Sequence, residues 1–415
     1  RDMDIPVKKN EEYIVDIIDN GFEGEGIAKV DNFTIFIDGA IKGEKCKILI
    51  VKVNSSHAFG KLIEIIEPSQ YRCEPDCETY KRCGGCSLRH MTYEKTLEIK
   101  KNNVQSLINK TLANKVEVNE IIGMKDPFYY RNKAQFPIGI DNNGQENFGV
   151  FAKLSHTIIP FEKCFIQTEK SQEIARTVVD FIRENHIAVY DEEKQQGVFR
   201  HIVIKVGKRS GQIMCILVVK EKNIAEEKEL VELLLNKFPS ITTIVKNVND
   251  KNTNVIMGKE NINLYGSGYI EDQLGDYTFK ISPMSFYQVN PTQVEVLYNQ
   301  AINMTNLNKE DVLCDLYCGI GTIGIFASKN VKKVYGIEIV PEAIEDAKEN
   351  ARINNIENVE FIVGDVEKAF DELVNVKKVK PTAIIVDPPR KGLDNNTIEN
   401  ILKIKPKKLT YISCN

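Results

Sequence analysis

Short apolar runs interrupted by glycine dominate the beginning of the chain. The segments YIVDII, GIAKV, FTIFID, EKCKILIVKV and FGKLIEII follow one another at regular spacing between about Glu12 and Pro68. Strands of this length with glycine corners are typical of small barrels of the oligonucleotide-binding type. We therefore predict that residues 1–68 form a five-stranded, closed β-barrel.

The last part of the chain alternates strand-like and helix-like patterns. Between Ser282 and Asn415 the runs VLCDLY, KVYGIEIV, VEFIVGD, TAIIVDPP and LTYISCN are separated by helix-like segments such as PEAIEDAKENARINN. Strict alternation predicts an α/β domain over residues 282–415, with a doubly wound, Rossmann-like parallel sheet. The residues 69–281 mix both patterns, which predicts a central α+β domain.

Length and apolar content limit the kinds of protein that these patterns can form. A chain of 415 residues is too long for one hydrophobic core, so two or three domains are expected. No apolar run approaches the ~18 residues of a membrane span. The first residues also lack the apolar stretch of a signal peptide. We therefore expect a cytoplasmic protein with no membrane partner.

The charge balance argues against a protein that binds nucleic acid by bulk electrostatics. The net charge is −4, from 55 basic and 59 acidic residues. A local basic face is compatible with that total, because five lysines lie between positions 42 and 61 against one acid, Glu44. They are Lys42, Lys45, Lys47, Lys52 and Lys61. A solvated strand face accounts for them equally well.

A glycine-rich loop follows the first strand of the α/β region. Gly319, Gly321 and Gly324 in CGIGTIG precede a helix, and Glu338 ends the next strand, nineteen residues after Gly319. Glycine lets a ligand approach the backbone at a helix N-terminus, and a carboxylate at the second strand can bind a ribose diol. The loop predicts a cofactor site that includes Gly319 and Glu338. It fits a dinucleotide dehydrogenase as readily as a methyltransferase.

The next two strand ends favour a methyltransferase. Asp365 follows the run FIVG, and the sequence Asp387-Pro388-Pro389-Arg390 follows TAIIV. Open α/β sheets bind ligands at the carboxyl ends of their strands. Proline stiffens the second of these loops, because it fixes φ and removes a backbone donor. Base-modifying methyltransferases use such a turn, whereas dehydrogenases have no need of it.

Cys414 is a candidate nucleophile. It directly follows the run LTYIS, so it is expected at the same edge of the sheet. A thiolate there can attack carbon 6 of a uracil and so make carbon 5 nucleophilic. The competing interpretation is a buried, inert strand cysteine.

These motifs together resemble the uracil-5 RNA methyltransferases, the family of the 5-methyluridine enzymes of 23S ribosomal RNA and transfer RNA. LYCGIGT, VDPPRKG and YISCN occur in that order, with FYQVNP upstream, and the resemblance extends over essentially the whole chain. It implies S-adenosylmethionine as methyl donor and a covalent adduct between Cys414 and uracil carbon 6. The implied cofactor contacts are Gln288, Tyr317, Glu338 and Asp387, with Asp365 expected on the adenine side. Phe286 is a candidate for stacking on a base, although a core aromatic is as plausible.

The resemblance also implies a catalytic base that the sequence does not contain. In the family a glutamate some tens of residues after the nucleophile removes the carbon 5 proton. The printed chain stops one residue after Cys414. We therefore expect a C-terminal tail with this base beyond residue 415, and we assign the role to no residue.

The cysteines are unevenly distributed. Cys46 and Cys215 lie in apolar runs and are predicted to be small buried residues. Four others are close together, at positions 73, 77, 83 and 86, and Cys164 lies far downstream. Four thiolates suffice for either zinc or an iron–sulfur cluster, and their spacing does not separate the two.

The cysteine pattern resembles the cluster motif of the ribosomal branch of the family, which carries a 4Fe-4S cluster. The resemblance implies Cys77, Cys83, Cys86 and Cys164 as ligands and leaves Cys73 outside the set. The beginning of the chain resembles the TRAM domain, a small RNA-binding barrel. Since the transfer RNA branch is expected to lack both features, 23S ribosomal RNA is the implied substrate.

Further RNA contacts are predicted in the sequence YYRNKAQF. It interleaves the basic Arg131 and Lys133 with Tyr129, Tyr130 and Phe136, which suits phosphates and unstacked bases. A solvated charged turn is the alternative. We expect a monomer that binds RNA and not DNA. Two other classes compete with this interpretation: an RNA-binding protein with an inactive methyltransferase fold, and a redox protein that uses the cluster and a dinucleotide.

Overall fold

The computed structural model describes residues 4–415, so the first three residues of the predicted 1–68 domain lie outside it. Its contacts divide the chain into two compact units. Unit 1 contains Arg1–Lys125 and Val150–Phe161, and unit 2 contains Asp126–Gly149 and Glu162–Asn415. The predicted central segment is therefore divided: residues 126–149 and 162–281 share a unit with the C-terminal segment, whereas residues 69–125 and 150–161 belong to unit 1. The division into three domains remains a prediction.

The chain forms strands and helices in the following order: β1 (Glu12–Asp16), β2 (Asp19–Asn20), β3 (Gly26–Val30), β4 (Phe33–Ile37), β5 (Lys45–Val53), β6 (His57–Glu67), α1 (Tyr93–Thr111), β7 (Lys133–Ile140), β8 (Glu146–Phe148), β9 (Val150–Phe151), β10 (Ile158–Ile159), α2 (Glu169–Glu184), β11 (Phe199–Val206), β12 (Ile213–Val219), α3 (Glu227–Lys237), β13 (Ile241–Val248), β14 (Glu260–Tyr265), β15 (Ile270–Leu274), β16 (Tyr277–Ile281), α4 (Pro291–Thr305), β17 (Val312–Leu316), α5 (Thr322–Ser328), β18 (Lys333–Glu338), α6 (Pro341–Ile353), β19 (Val359–Val363), α7 (Val366–Asp371), a π-helical turn (Glu372–Val376), β20 (Ala383–Val386), α8 (Asn395–Ile404) and β21 (Lys408–Tyr411).

Unit 1 is built on a six-stranded sheet in the order β1-β5-β6-β4-β3-β2. The prediction of five strands was one short, because the first apolar run is followed by the separate strand β2, where the Asn20 side chain donates to the Gly24 and Ala40 carbonyls. Only the β4–β6 pairing is parallel. The hydrogen-bonded order ends at β1 and β2, so closure into a barrel remains a prediction.

Alternate residues of these strands form the core of unit 1. In β5, Cys46, Ile48 and Ile50 are fully buried, while Lys47 between them is partly exposed and Lys52 beyond them is exposed. The prediction that Cys46 is a small buried residue is confirmed. Cys215, in the wholly buried strand β12 of unit 2, bears out the same prediction.

Unit 1 contains a buried ion pair between Arg72 and Glu44. The Glu44 side chain is completely buried and accepts from Arg72 Nε and Nη2, both at 2.7 Å. The amides of Ile41 and Ser69 donate to the same carboxylate. Burial raises the pKa of Glu44, but the bond from Arg72 and the two amides outweigh it and hold that pKa below its ordinary value.

The burial of Glu44 changes the picture of the basic face. The one acid among the five lysines is withdrawn from the surface and already paired. Lys42, Lys52 and Lys61 are exposed, whereas Lys47 pairs with Glu12 at 3.1 Å. The surface charge in this stretch is therefore more positive than the sequence count indicates.

Unit 2 contains two larger sheets. The central sheet has the order β14-β13-β12-β11-β7-β8, and its one parallel pairing is β12 with β13. The C-terminal sheet has the order β19-β18-β17-β20-β21, and all four pairings are parallel. Helices connect its strands, so the prediction of an α/β domain is confirmed at that level. The strand order reverses beside β17, where open sheets of this kind form a ligand crevice.

Helices in residues 4–415 are all too short or too polar to cross a membrane.

The buried pair between Arg72 and Glu44 predicts that Arg72→Met destabilises unit 1 more than Lys47→Met does. Arg72→Met leaves the Glu44 carboxylate buried without its cation, which should cost ~3–5 kcal/mol of local stability. Lys47→Met removes the partly exposed pair with Glu12 and should cost ~1 kcal/mol or less. Hydrogen exchange of the β5 amides, followed by mass spectrometry, measures both. Equal protection of these amides in the two variants would contradict the larger stabilisation that we expect from the buried pair.

Candidate active site

The carboxyl ends of the five parallel strands meet at one edge of the C-terminal sheet. Backbone bonds extend the ladder past the strands: Cys318 N donates to Ile337 O at 2.9 Å, and Ile412 N donates to Val386 O at 2.8 Å. The residues at or after the end of each strand are therefore held at the edge. They include the predicted residues Tyr317, Gly319, Glu338, Asp365, Asp387 and Cys414.

The glycine loop between β17 and α5 leaves space for a ligand. Gly319 has φ +54°, and a Cβ atom there would meet no other atom within 4 Å. Gly321 serves packing instead, because a Cβ atom there would lie 2.7 Å from the Phe361 ring. The same ring lies 2.6 Å from the Cβ position of Gly336 on β18. Tyr317 also has positive φ, +64°, a strained conformation that is frequent at functional sites.

Glu338 connects the end of β18 to this loop. Its Oε1 atom accepts from Gly319 N at 3.2 Å, and its Oε2 atom accepts from Val340 N at 2.9 Å. The side chain is half-buried. Each carboxylate oxygen has two lone pairs, so both can still accept from a ligand hydroxyl.

Asp315 lies beneath the loop and was missed by sequence reasoning. It is fully buried in β17, and its Oδ2 atom accepts from Gly324 N at 3.0 Å. Its Oδ1 atom has no hydrogen-bond partner among residues 4–415. Burial raises the pKa of Asp315 to about 8, the Asp387 and Glu338 carboxylates act in the same direction, and the Gly324 amide opposes them. The available signal was an acid inside the apolar run VLCDLY.

Asn350 is a second missed residue. It is completely buried in α6, and its Nδ2 atom donates to the Ile320 carbonyl of the glycine loop at 3.0 Å. Its Oδ1 atom accepts from Lys280 N. Nothing in the run ENARINN distinguishes this asparagine from a solvated one.

The Asp387-Pro388-Pro389-Arg390 turn follows β20. Burial raises the pKa of the half-buried Asp387 to about 6. Pro388 is buried, and the Pro389 carbonyl accepts from Gly392 N at 2.8 Å. Arg390 is exposed. The acid of the motif is therefore partly buried, while its arginine is exposed to solvent.

The segment 282–290, between β16 and α4, carries Phe286 and Gln288. Phe286 is 66% exposed, so the alternative of a core aromatic was wrong. The Gln288 side chain hydrogen-bonds to the hydroxyl of the buried Tyr298. The Gln288 carbonyl accepts from Asn132 Nδ2 at 2.8 Å.

The remaining predicted side chains of the edge differ in exposure. Cys414 is exposed, so the alternative of a buried strand cysteine was wrong. Asp365 is also exposed and caps α7, accepting from Glu367 N at 3.0 Å. Tyr317 is half-buried; burial, aided by the Asp394 and Asp365 carboxylates, raises the pKa of Tyr317 to about 12.

The YYRNKAQF sequence divides between surface and core. Phe136 is 1% exposed and packs against Phe148, so its prediction as an RNA contact was wrong: it lies on the buried face of β7. Burial and the neighbouring Arg131 lower the pKa of Lys133. The alternative of a solvated, charged turn therefore does not describe Lys133. Tyr129 has φ +50° and hydrogen-bonds to Lys163.

The cysteine-rich loop of unit 1 does not by itself form a metal site. Cys77, Cys83 and Cys86 are half-buried. Gly85 N donates to Cys83 Sγ at 3.2 Å, while Cys77 Sγ contacts Thr79 Oγ1 at 3.3 Å. In the described part of the chain, no group of three or more cysteine, histidine or acidic side chains lies close enough to hold a metal ion. Cys164 belongs to unit 2.

Comparison with known proteins adds to this geometry. The family model described as tRNA (Uracil-5-)-methyltransferase matches residues 92–415, and the TRAM domain model matches residues 6–63. Relatives named uncharacterized RNA methyltransferases occur in Clostridium tetani (46% identity) and Clostridium acetobutylicum (47% identity); each match covers 99% of this chain and 89% of the relative.

A solved structure is similar over nearly the whole chain. It is the crystal structure of Pyrococcus abyssi tRNA (uracil-54, C5)-methyltransferase in complex with S-adenosyl-L-homocysteine. The TM-score is 0.75 and the identity 25%, and the match covers 97% of this chain and 90% of that one. A transfer RNA enzyme thus has a counterpart to the N-terminal sheet, and the expectation that this branch lacks it was wrong.

The parallel sheet, its glycine loop and the acids at its edge define an α/β methyltransferase. Within that class, the chain belongs to the tRNA (uracil-5-)-methyltransferase family, whose model matches most of its length.

The buried Asp315 predicts how stability depends on pH. Its pKa is raised from 3.8 to about 8 in the folded chain, so the protonated form is favoured on folding. Its contribution to the free energy of unfolding is present below pH 4 and is lost as pH rises towards 8. The melting temperature of Asp315→Asn should therefore fall less between pH 5 and 8 than that of the wild type. Circular dichroism at several pH values measures this.

Asp276→Asn is the control, because Asp276 is exposed in the β15–β16 turn. It should keep the wild-type slope of melting temperature against pH. The same slope in Asp315→Asn would show that Asp315 does not take up a proton on folding.

Proposed function

We propose that this chain transfers a methyl group from S-adenosylmethionine to carbon 5 of a uridine in RNA, with Cys414 as covalent nucleophile. One observation carries the proposal. Asp387 and Cys414 follow the adjacent parallel strands β20 and β21, beside the glycine loop that follows β17. A nucleophile and a cofactor site are thereby expected at the same edge of the sheet. Membership of the family supports the reaction type.

The residues of the edge suit S-adenosylmethionine. When bound, this cofactor supplies an electrophilic methyl group on a positively charged sulfonium. Open space beside Gly319 permits close approach to the backbone, and acids such as Glu338 and Asp387 suit a cation that carries ribose hydroxyls. We propose Glu338 for the ribose and Asp365 for the adenine side. Gln288, Tyr317, Gly319 and Asp387 complete the proposed cofactor contacts.

Cys414 would activate the uracil. Attack of its thiolate on carbon 6 moves an electron pair to carbon 5, which becomes nucleophilic enough to accept the methyl group. The thiolate leaves when carbon 5 loses its proton, because that electron pair restores the 5,6 double bond. We assign the base that removes the proton to no residue of the printed chain.

The RNA substrate has two candidates. We propose 23S ribosomal RNA, because the cysteine spacing resembles the ribosomal branch of the family. Transfer RNA is the second candidate, and the likeness to the Pyrococcus abyssi enzyme supports it. The N-terminal sheet no longer separates the two, since the similar region includes it. The compartment and oligomeric state remain predictions from the sequence.

An iron–sulfur cluster is proposed only from the sequence. Its support is the spacing of Cys77, Cys83 and Cys86 and the distant Cys164. Because the thiols are not grouped for metal binding, no step of the reaction is assigned to a cluster.

The nucleophile is tested with RNA in which 5-fluorouridine replaces uridine. Carbon 5 then has fluorine in place of the proton to be lost, so the Cys414 adduct should persist. With S-adenosylmethionine and labelled RNA, the wild type should give a shifted band on a denaturing gel. Cys414→Ala should give none. Transcripts of 23S ribosomal RNA and of transfer RNA, tried separately, identify the substrate.

Cys73→Ala is the matched control, since Cys73 and Cys414 are both exposed. It should form the adduct as the wild type does. A band of undiminished intensity with Cys414→Ala would refute the nucleophile assignment, and failure of the wild type with every RNA would refute the proposed function.

The cluster proposal predicts a metal content. Anaerobically purified protein should contain about four irons per chain and absorb visible light. Cys83→Ser should lose the iron, whereas Cys73→Ser should retain it, since Cys73 lies outside the proposed set. Elemental analysis decides between iron and zinc: one zinc per chain without colour would contradict the proposal.

A further inference from the structure

The segment 282–290 presents two proposed contact residues without being part of a helix or strand. It joins β16 to α4 and carries Phe286 and Gln288. Phe286 is 66% exposed, while the next residue, Tyr287, is 8% exposed. An irregular segment that holds an aromatic ring out in solvent needs something to fix its main chain.

A buried lysine provides the main contacts. Lys205, in β11 of the central sheet, is 4% exposed. Its Nζ atom donates to the carbonyls of Ser282 at 2.9 Å, Pro283 at 2.9 Å and Ser285 at 3.1 Å. A lysine ammonium has three N–H donors, so all of them are directed at one turn.

This arrangement is costly. Burial lowers the pKa of Lys205 to about 7, Lys133 opposite it in the β7–β11 pairing acts in the same direction, and Asp346 opposes both. An apolar side chain of similar length would avoid the cost of burying the charge. What a lysine provides here, and methionine could not, is the set of bonds to the turn.

Other contacts hold the remainder of the segment. Ser282 Oγ donates to the buried Asp346 at 2.9 Å, and Ser282 N donates to Ser285 Oγ at 3.0 Å. At the other end, Asn132 donates through Nδ2 to Gln288 O at 2.8 Å and through its backbone N to Val289 O at 2.9 Å. Phe286 lies between these two sets of bonds, so the main chain is held on both sides of it.

We propose that Lys205 is a positioning residue for RNA methylation: by binding the main chain of residues 282–285 it fixes the backbone from which Phe286 projects into solvent. The roles of Phe286 and Gln288 rest on the proposed function. The anchoring of the turn by Lys205 does not depend on the proposed function.

The chain offers a reporter for the anchoring. It contains no tryptophan, so Phe286→Trp introduces a single fluorophore at the tip of the turn. In this background, Lys205→Met should lower the fluorescence anisotropy and increase quenching by acrylamide, because the turn loses three bonds. Lys246→Met is the matched control: Lys246 is 5% exposed in β13 of the same sheet, but it pairs with Glu227. Equal signals in both variants would overturn the proposal.

Kinetics test whether the anchoring matters for RNA. Lys205→Met should raise KM for RNA by about tenfold, the scale expected for losing a few hydrogen bonds to the turn. Since Lys205 acts through Phe286, adding Phe286→Ala should produce little further loss. Fully additive losses would contradict the positioning role. A wild type that methylates no RNA would refute the proposed function, and the fluorescence measurement would still decide the anchoring.

Lys205→Gln covers the case in which Lys205→Met does not fold. Glutamine is uncharged and has two N–H donors, so it can satisfy only part of the turn. Its tryptophan anisotropy should lie below that of the parent with lysine at this position. An unchanged value would overturn the proposal as directly as an unchanged Lys205→Met.

Discussion

The Lys205 ammonium is buried among three main-chain carbonyls, and the conformation of the segment 282–290 depends on this contact. Lys205 lies on the central sheet, and the carbonyls belong to the turn that leads into α4 of the α/β region. A charged group that is buried away from water is tolerated only when its N–H donors have hydrogen-bond acceptors. The position of Lys205 and the conformation of the turn therefore constrain each other. The segment that carries Phe286 and Gln288 thus derives its conformation from a sheet to which it does not belong.

The edge of the parallel sheet brings several carboxyl groups together. Asp315, Glu338 and Asp387 lie on or directly after three neighbouring strands, and the pKa values of Asp315 and Asp387 are raised by burial. Acids brought together in this way are poorly solvated and repel one another. A positively charged ligand relieves both effects. The electrostatics of the edge therefore favour a cation such as a sulfonium independently of any sequence motif.

Local patterns in the sequence predicted local features well. The glycine loop, the spacing from Gly319 to Glu338 and the strand before Cys414 are short-range signals, and the structure contains each of them. Two of the residues that were missed act over long distances: Asn350 donates to a carbonyl 30 positions away and Lys205 to one 77 positions away. No periodicity encodes such a pairing. Phe136 shows the converse error, because an aromatic beside basic residues was interpreted chemically when its strand position decides its burial.

The Phe361 ring fills the space that side chains at two glycine positions would need. It lies 2.7 Å from where a Cβ atom of Gly321 would be and 2.6 Å from that of Gly336. The residues at these three positions, on the loop and on strands β18 and β19, therefore share one packing space. A larger residue at either glycine can be accommodated only if the aromatic becomes smaller at the same time. Among sequences that keep this fold, we expect the sizes of the residues at the three positions to vary together. The size of the residue at 361 then sets how closely the loop can approach the sheet.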